Sequence, residues 1–166
     1  DLCYPHHEVI LSNLIALSQK LNPVGCWMHV GILDIENAKM SKSSGNAIYI
    51  KELLKKYDVN TLKLYFYLLY YKSLLNFKIS ELERFEEMNN MIRSLVFASD
   101  YGKEINGITY DTVKDTKESE IIKKFKNYIE DLDTPNSLKV FLDTIEDVDK
   151  MNDAKKMMDI FGLRYW

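Results

Sequence analysis

Apolar residues return every three or four positions along most of this chain, the spacing of helices that lay one face on a core. Between Pro5 and Leu21 they fall at Val9, Ile10, Leu14, Leu17 and Leu21, which predicts an amphipathic helix with Pro5 just inside its start and Asn22-Pro23 closing it. Residues 25–35 (GCWMHVGILDI) are aromatic and partly β-branched and predict a strand that runs into a Ser/Gly loop from Lys39 to Asn46. Ile50, Leu53, Leu54 and Tyr57 form one short face, and Asp58 is placed to cap the next helix. Residues 62–71 are apolar enough to be buried on most sides.

The remainder is helical in period. Residues 81–99 carry a stripe at Leu82, Phe85, Met88, Met91, Ile92 and Leu95, and residues 101–118, with two glycines and no sustained period, predict a long connection. Ile121, Ile122, Phe125, Tyr128, Ile129 and Leu132 mark the next helix, and Leu138, Phe141, Leu142, Ile145 and Val148 the one after. Between them Thr134 is expected as the N-cap with Pro135 at the first helical position. Met151 to Phe161 predicts a last short helix ended by Gly162. The pattern as a whole is that of a mainly α protein.

A chain of 166 residues that is 46% hydrophobic and 28% charged, with 6 Gly and 3 Pro, can bury a core and is unlike a disordered tail or a fibre. Its charge is uneven: residues 1–99 hold 11 Lys/Arg against 10 Asp/Glu and residues 100–166 hold 11 against 15, so +1 and −4 make the overall −3. Such a balance excludes nucleic-acid binding by bulk charge and leaves room only for a local patch. Cys3 and Cys26 are too few for a disulfide framework, which points to a reducing compartment. No run reaches the ~18–20 apolar residues of a membrane span, and the opening DLCYPHHE lacks the regions of a signal peptide. The expectation is a cytoplasmic protein without a membrane partner. The first residue, Asp1 rather than Met, suggests a fragment or a processed product.

The chemistry concentrates in Lys39-Met40-Ser41-Lys42-Ser43, followed by Ser44-Gly45-Asn46. Two lysines three positions apart in a Ser/Gly loop can set two ammonium groups against a polyphosphate, while hydroxyls and backbone N–H groups donate short hydrogen bonds. Ser and Gly also let such a loop close and reopen. An isolated K-x-x-K would more often be a solvated turn. Here the pentapeptide has company in sequence order: DLCYPHHE at residues 1–8, Trp27-Met28-His29-Val30-Gly31, LLKKYD at 53–58, YYKSLLNF at 70–77 and EDLDTP at 130–135.

In this order the strings resemble cysteinyl-tRNA synthetase, a class I aminoacyl-tRNA synthetase whose second signature is KMSKS. The resemblance implies a mainly α chain: a remnant of a Rossmann-type α/β catalytic domain with the KMSKS loop (1–46), stem-contact helices (47–78), and a helical bundle that contacts tRNA (79–166). It implies that Lys42, assisted by Lys39, stabilises the charge developing as pyrophosphate leaves Mg-ATP, with Met40, Ser41 and Ser43 completing the ATP contact. Trp27 and His29 fall where the family's strand borders the substrate pocket; a strand histidine satisfied by its neighbours is the equal alternative for His29. The implied partners are ATP, cysteine and tRNA(Cys).

Two departures stand out. His6 matches the family's zinc-ligating histidine, but the family's Glu one turn later is Ile10 here, and an alkyl chain cannot ligate. Cys3 with His6 or His7 supplies two ligands, short of a closed site, so zinc is not expected from this chain alone. The family's H-I-G-H string is also absent, the three histidines being His6, His7 and His29. The expectation is therefore part of a cysteine--tRNA ligase that is catalytically incompetent by itself, with the other half of the catalytic domain as a partner. Two rivals remain, a mycothiol-type cysteine ligase with the same motifs and a non-catalytic tRNA-binding or regulatory module. Lys51, Lys55, Lys56, Lys63 and Lys72 are candidate phosphate contacts. Tyr65, Tyr67, Tyr70 and Tyr71 read first as core and rim, and Lys123, Lys124 and Lys126 as a solvated face.

Overall fold

The computed structural model of the chain describes residues 3–40, 45–105 and 118–165, with the backbone alone for 101–105. Two compact units emerge, one made of residues 1–46 and 71–77, the other of 47–70 and 78–166. Residues 47–70 group with the helices from residue 78 onward.

The first unit opens with a kinked turn, Cys3–His7, in which Tyr4 is extended, and this leads into α1, Glu8–Ser18. Gln19 ends α1 in the left-handed conformation, its N–H on the Ile15 carbonyl, so the helix stops before Asn22-Pro23. Its apolar positions were expected to face a core, but Val9, Ile10 and Leu14 are exposed, and Leu17 and Leu21 are 83% and 87% so. The half-buried side chains are instead His7, Leu11 and Ile15, one turn apart on a single face. Periodicity alone could not choose between these stripes, because α1 is apolar on more than one side.

The strand expected over residues 25–35 shrinks to β1, Leu33–Ile35. It forms a hairpin with β2, Ala38–Lys39, pairing Asp34 with Lys39 and Ile35 with Ala38. On its other edge β1 pairs in parallel with β3, Leu75–Phe77, a strand that the residue pattern did not announce. The sheet order is β2-β1-β3. Residues 25–32 reach β1 as irregular chain held by backbone bonds, with the Gly31 N–H on the Tyr71 carbonyl at 2.8 Å and the Leu75 N–H on the Ile32 carbonyl at 2.9 Å. Gly31 permits this approach: a Cβ there would lie 1.9 Å from the Ser73 carbonyl oxygen.

The second unit holds most of the core. After the short α2, Ile50–Leu53, the Asp58 carboxylate accepts from the Asn60 N–H at 2.7 Å and caps α3, Val59–Tyr67, as anticipated. α3 buries Leu62, Leu64 and Tyr65, but Phe66, Leu68 and Tyr70 are exposed, so residues 62–71 are buried on one side rather than on most. α4, Leu82–Ile105, is longer than expected and takes in the start of the region assigned to a connection; residues 106–117 lie outside the described residues. It turns Leu82, Phe85, Asn89, Ile92 and Val96 inward at alternating spacings of three and four. Met91, placed on that stripe by its apolar character, is exposed, and Asn89 takes an inward place.

α3 and α4 run antiparallel: Arg93 bonds Asp58 at 3.0 Å at one end, and the Tyr65 and Phe85 rings meet edge to face at 5.1 Å at the other. α5, Glu120–Glu130, α6, Thr134–Ile145, and α7, Met151–Phe161, complete the unit. The N-cap of α6 is Asp133, whose carboxylate accepts from the Asn136 N–H. Thr134, expected in that role, lies one residue inside the helix and donates its hydroxyl to the Leu69 carbonyl at 3.2 Å. Val148, placed on the α6 face by period, lies beyond the helix and is exposed.

Phe161 gathers the core by touching Tyr67, Phe125 and Phe141 with its ring. Gly162 ends α7 in the left-handed conformation, as expected. The chain then returns along α3: Lys63 donates to the Gly162 carbonyl, Tyr67 to that of Phe161 at 2.7 Å, and the Asn60 amide to that of Arg164 at 2.7 Å. Leu163 and Tyr165 are buried as a result. Among the described residues, no helix is long and apolar enough to cross a membrane, and Cys3 and Cys26 are free and exposed.

Candidate functional site

In the kinked turn at Cys3–His7, His6 is exposed and His7 is half-buried. His7 stacks on Trp27 with ring centroids 5.0 Å apart and an interplanar angle of 25°, and meets His29 at 4.9 Å. The irregular backbone of residues 25–32 brings Trp27 and His29 to the same imidazole, which a continuous strand would have placed at the same face only by alternation. His7 Nδ1 and His29 Nε2 are buried with no hydrogen-bond partner among the described residues. A satisfied strand histidine, the alternative held open for His29, is therefore not what the geometry shows at that nitrogen.

Beside this stack lies a pocket of about 480 Å³. His7, Met28, His29 and Gly31 form one part of its wall, and Lys39 and Met40, delivered by the β1–β2 hairpin, form another. The structure thus brings His29, Lys39 and Met40 to a single cavity, with Trp27 stacked behind His7. Ser41, Lys42 and Ser43 lie outside the described residues. On their far side the Asn46 amide donates to the Lys39 carbonyl at 3.1 Å, so the two ends of the segment meet.

His7 is the titratable lining residue that the residue pattern left outside its pocket assignment. The signal was present, since His7 heads the His7, Leu11, Ile15 face of α1, but the more numerous apolar positions elsewhere on that helix concealed it.

For zinc the residues present do not fit. His6 is exposed, Ile10 follows it one turn on, and among the described residues no three of His, Cys, Asp and Glu gather closely enough to hold a metal.

Several lysines of the candidate RNA surface are engaged locally. Lys63 is spent on the Gly162 carbonyl, Lys55 pairs with Glu52 at 2.5 Å, and Lys51, Lys56 and Lys72 lie over the rings of Tyr49, Tyr57 and Tyr71. Lys123 and Lys126 pair with Glu120 and Glu118 on an exposed face. Tyr65 belongs to the core and Tyr67 is half-buried against Phe161, and burial pushes both phenols above their ordinary value.

Residues 1–87 match the model of the family described as tRNA synthetases class I (C) catalytic domain, which covers the hairpin, the pocket and α3. The chain belongs to this family. It is 35% identical over 96 residues to the cysteine--tRNA ligase of Wigglesworthia glossinidia brevipalpis, covering 57% of this chain and 20% of that protein. It is 42% identical over 96 residues to that of Malacoplasma penetrans, at 57% and 22% coverage, and 39% identical over 103 residues to that of a Polaromonas species, at 60% and 21%. The chain therefore spans about a fifth of the length of the curated relatives it matches.

Proposed function

We propose that the chain serves in a cysteine--tRNA ligase, where Lys39 and the loop after it contact the phosphates of Mg-ATP and the His7–His29 pocket borders the bound amino acid. In that reaction the carboxylate of cysteine attacks the α-phosphorus of ATP, pyrophosphate leaves, and a hydroxyl of the terminal ribose of tRNA(Cys) then takes the cysteinyl group from AMP. Lys42, with Lys39, neutralises the charge that builds on the departing pyrophosphate, an effect that acts in the transition state more than in the ground state. Met40, Ser41 and Ser43 complete the nucleotide contact, while Trp27 and His29 wall the substrate.

The observation that supports this reading is that Lys39 and His29 line one pocket although nine residues of hairpin and irregular chain lie between them. The pocket alone does not supply the H-I-G-H histidines, so a polypeptide segment carrying them is the assigned partner, and the helices of residues 47–166 are assigned to tRNA contact. The test is ATP–pyrophosphate exchange with cysteine, measured on the chain alone and on the chain joined to a segment that carries H-I-G-H. No exchange is expected in the first case. In the second, exchange is expected to fall about 10²–10³-fold in Lys42→Ala. Exchange by the chain alone, or an unchanged rate in the variant, would overturn the assignment.

The alkyl side chain of Ile10, one turn after His6, favours a second reading, a non-catalytic tRNA-binding module. Binding of tRNA(Cys) well above unrelated duplex RNA at the same salt, with no exchange in the joined protein, would select it.

A further inference from the structure

The hairpin that delivers Lys39 turns through two consecutive residues in the left-handed conformation, Glu36 at φ 48° and Asn37 at φ 67°. Two such residues match the twist of a two-residue hairpin, but the turn is ordinarily built from Asn-Gly or Gly-Gly, and Glu is poorly suited to it. Something outside the hairpin has to hold it. Asn76 lies beside Asp34 in the parallel register of β3 and β1. Its Oδ1 accepts from the Asn37 N–H at 2.8 Å, and its Nδ2 donates to Asn37 Oδ1 at 2.6 Å, a reciprocal pair across 39 residues of sequence. The next residue of β3 completes the grip, with the Phe77 carbonyl accepting from the Glu36 N–H at 3.2 Å.

We propose that Asn76 is a positioning residue for Lys39: by clamping the left-handed turn at Glu36-Asn37 it sets where β2 delivers that lysine to the pocket. Lys39 follows Asn37 by two residues and pairs with Asp34, the neighbour of Asn76, so a change in the turn reaches it through a single strand pairing. Asn46 donates to the Lys39 carbonyl, which makes this one residue the fixed point for both ends of the signature segment. The functional weight of the clamp rests on the reading of Lys39 as a phosphate contact.

Amide hydrogen exchange and backbone NMR spectra of the whole chain test it, first without nucleotide. In Asn76→Ala the Asn37 amide is expected to exchange at least about tenfold faster, with displaced or broadened signals from Ala38 and Lys39 and unchanged signals in α5 to α7. Asn76→Asp keeps the acceptor and loses the donor, and is expected to restore part of the protection. In an Asn37→Gly background, where the left-handed turn needs no support, Asn76→Ala is expected to have several-fold less effect on Lys39. Wild-type Lys39 signals in Asn76→Ala, or an undiminished effect in the glycine background, would overturn the proposal.

A second arm adds Mg-ATP to the chain joined to the segment that carries H-I-G-H and follows Lys39 and Met40. Binding weakened in Asn76→Ala and recovered in the Asn37→Gly double variant supports the link to phosphate contact, and equal affinity in all variants refutes it. Failure of wild type to respond to ATP would count against the phosphate reading alone, since the first arm decides the clamp without nucleotide.

Discussion

The two units of the chain hold themselves together in different ways. In the second, α3 to α7 bury Leu64, Leu82, Ile92, Phe125, Phe141, Leu138, Ile145, Met157, Met158 and Leu163 almost completely, each such side chain contributing about 1.5–3 kcal/mol relative to exposure. In the first, Phe77 is the one fully buried residue among those described, and order comes from backbone pairing, a ring stack and amide clamps. The pocket lies in this lightly packed unit. Packing gives a unit stability without tying it to one local geometry, whereas directional bonds fix particular backbone positions at little net stability. The second kind of order is what sets the backbone at the turn before Lys39.

The largest effect that can test this contrast is expected in the core. Phe161→Ala removes the ring shared by Tyr67, Phe125 and Phe141, and denaturant unfolding of the helical signal is expected to show a loss of about 3–5 kcal/mol. A loss below about 1 kcal/mol would mean that the bundle is not held by a packed core.

In the first unit Gly31→Ala is expected to cost less, about 1–3 kcal/mol, because the new methyl group pushes against the Ser73 carbonyl and separates residues 30–32 from 71–75. Exchange of the Gly31 and Leu75 amides should rise together while amides of α5 to α7 stay protected. Equal acceleration in α5 to α7 would erase the difference between the units.

The smallest effect concerns pH. Burial pushes the Tyr165 phenol above its ordinary value of 10, Asp58 adds to the shift and Arg93 opposes it. The folded state therefore holds this proton more tightly than the unfolded state does. The associated stability is complete below pH ~10 and is lost as pH rises through the raised folded value. Tyr165→Phe is expected to change stability at neutral pH by about 1 kcal/mol or less, since the buried hydroxyl has no hydrogen-bond partner among the described residues. It should also flatten the fall in melting temperature above pH ~10. A slope identical to wild type would show that Tyr165 does not contribute to alkaline unfolding; Tyr65 and Tyr67, also raised by burial, retain a part of it.

Most helices were legible from spacing. Asp58 as a cap, Gly162 as a stop and the span of α7 follow from local chemistry that needs few distant partners. Legibility failed where a residue's place depends on something far away in sequence. Asn89 occupies an inward position of α4, although a polar amide gives no hydrophobic signal. Thr134 gave its hydroxyl to Leu69 and left the cap to Asp133, a choice invisible without the fold. β3 is a short strand whose partner is β1, some 40 residues earlier, so no local period announces it. For the site, Lys39, Met40 and His29 were named from the sequence, but the participation of His7 and the clamp by Asn76 were not.

What the sequence by itself determined is most of the helices and the identity of the chemical groups: the KMSKS string, the histidines, and the alkyl side chain of Ile10 one turn after His6. These are properties of residues and of near neighbours, which the chain carries whatever its fold. Tertiary structure decided which face of α1 turns inward, that His7, His29 and Lys39 share one cavity, and that a left-handed turn without glycine can persist. Each of these depends on groups brought together across tens of residues, where the energy of a contact exists only once the backbone has closed around it.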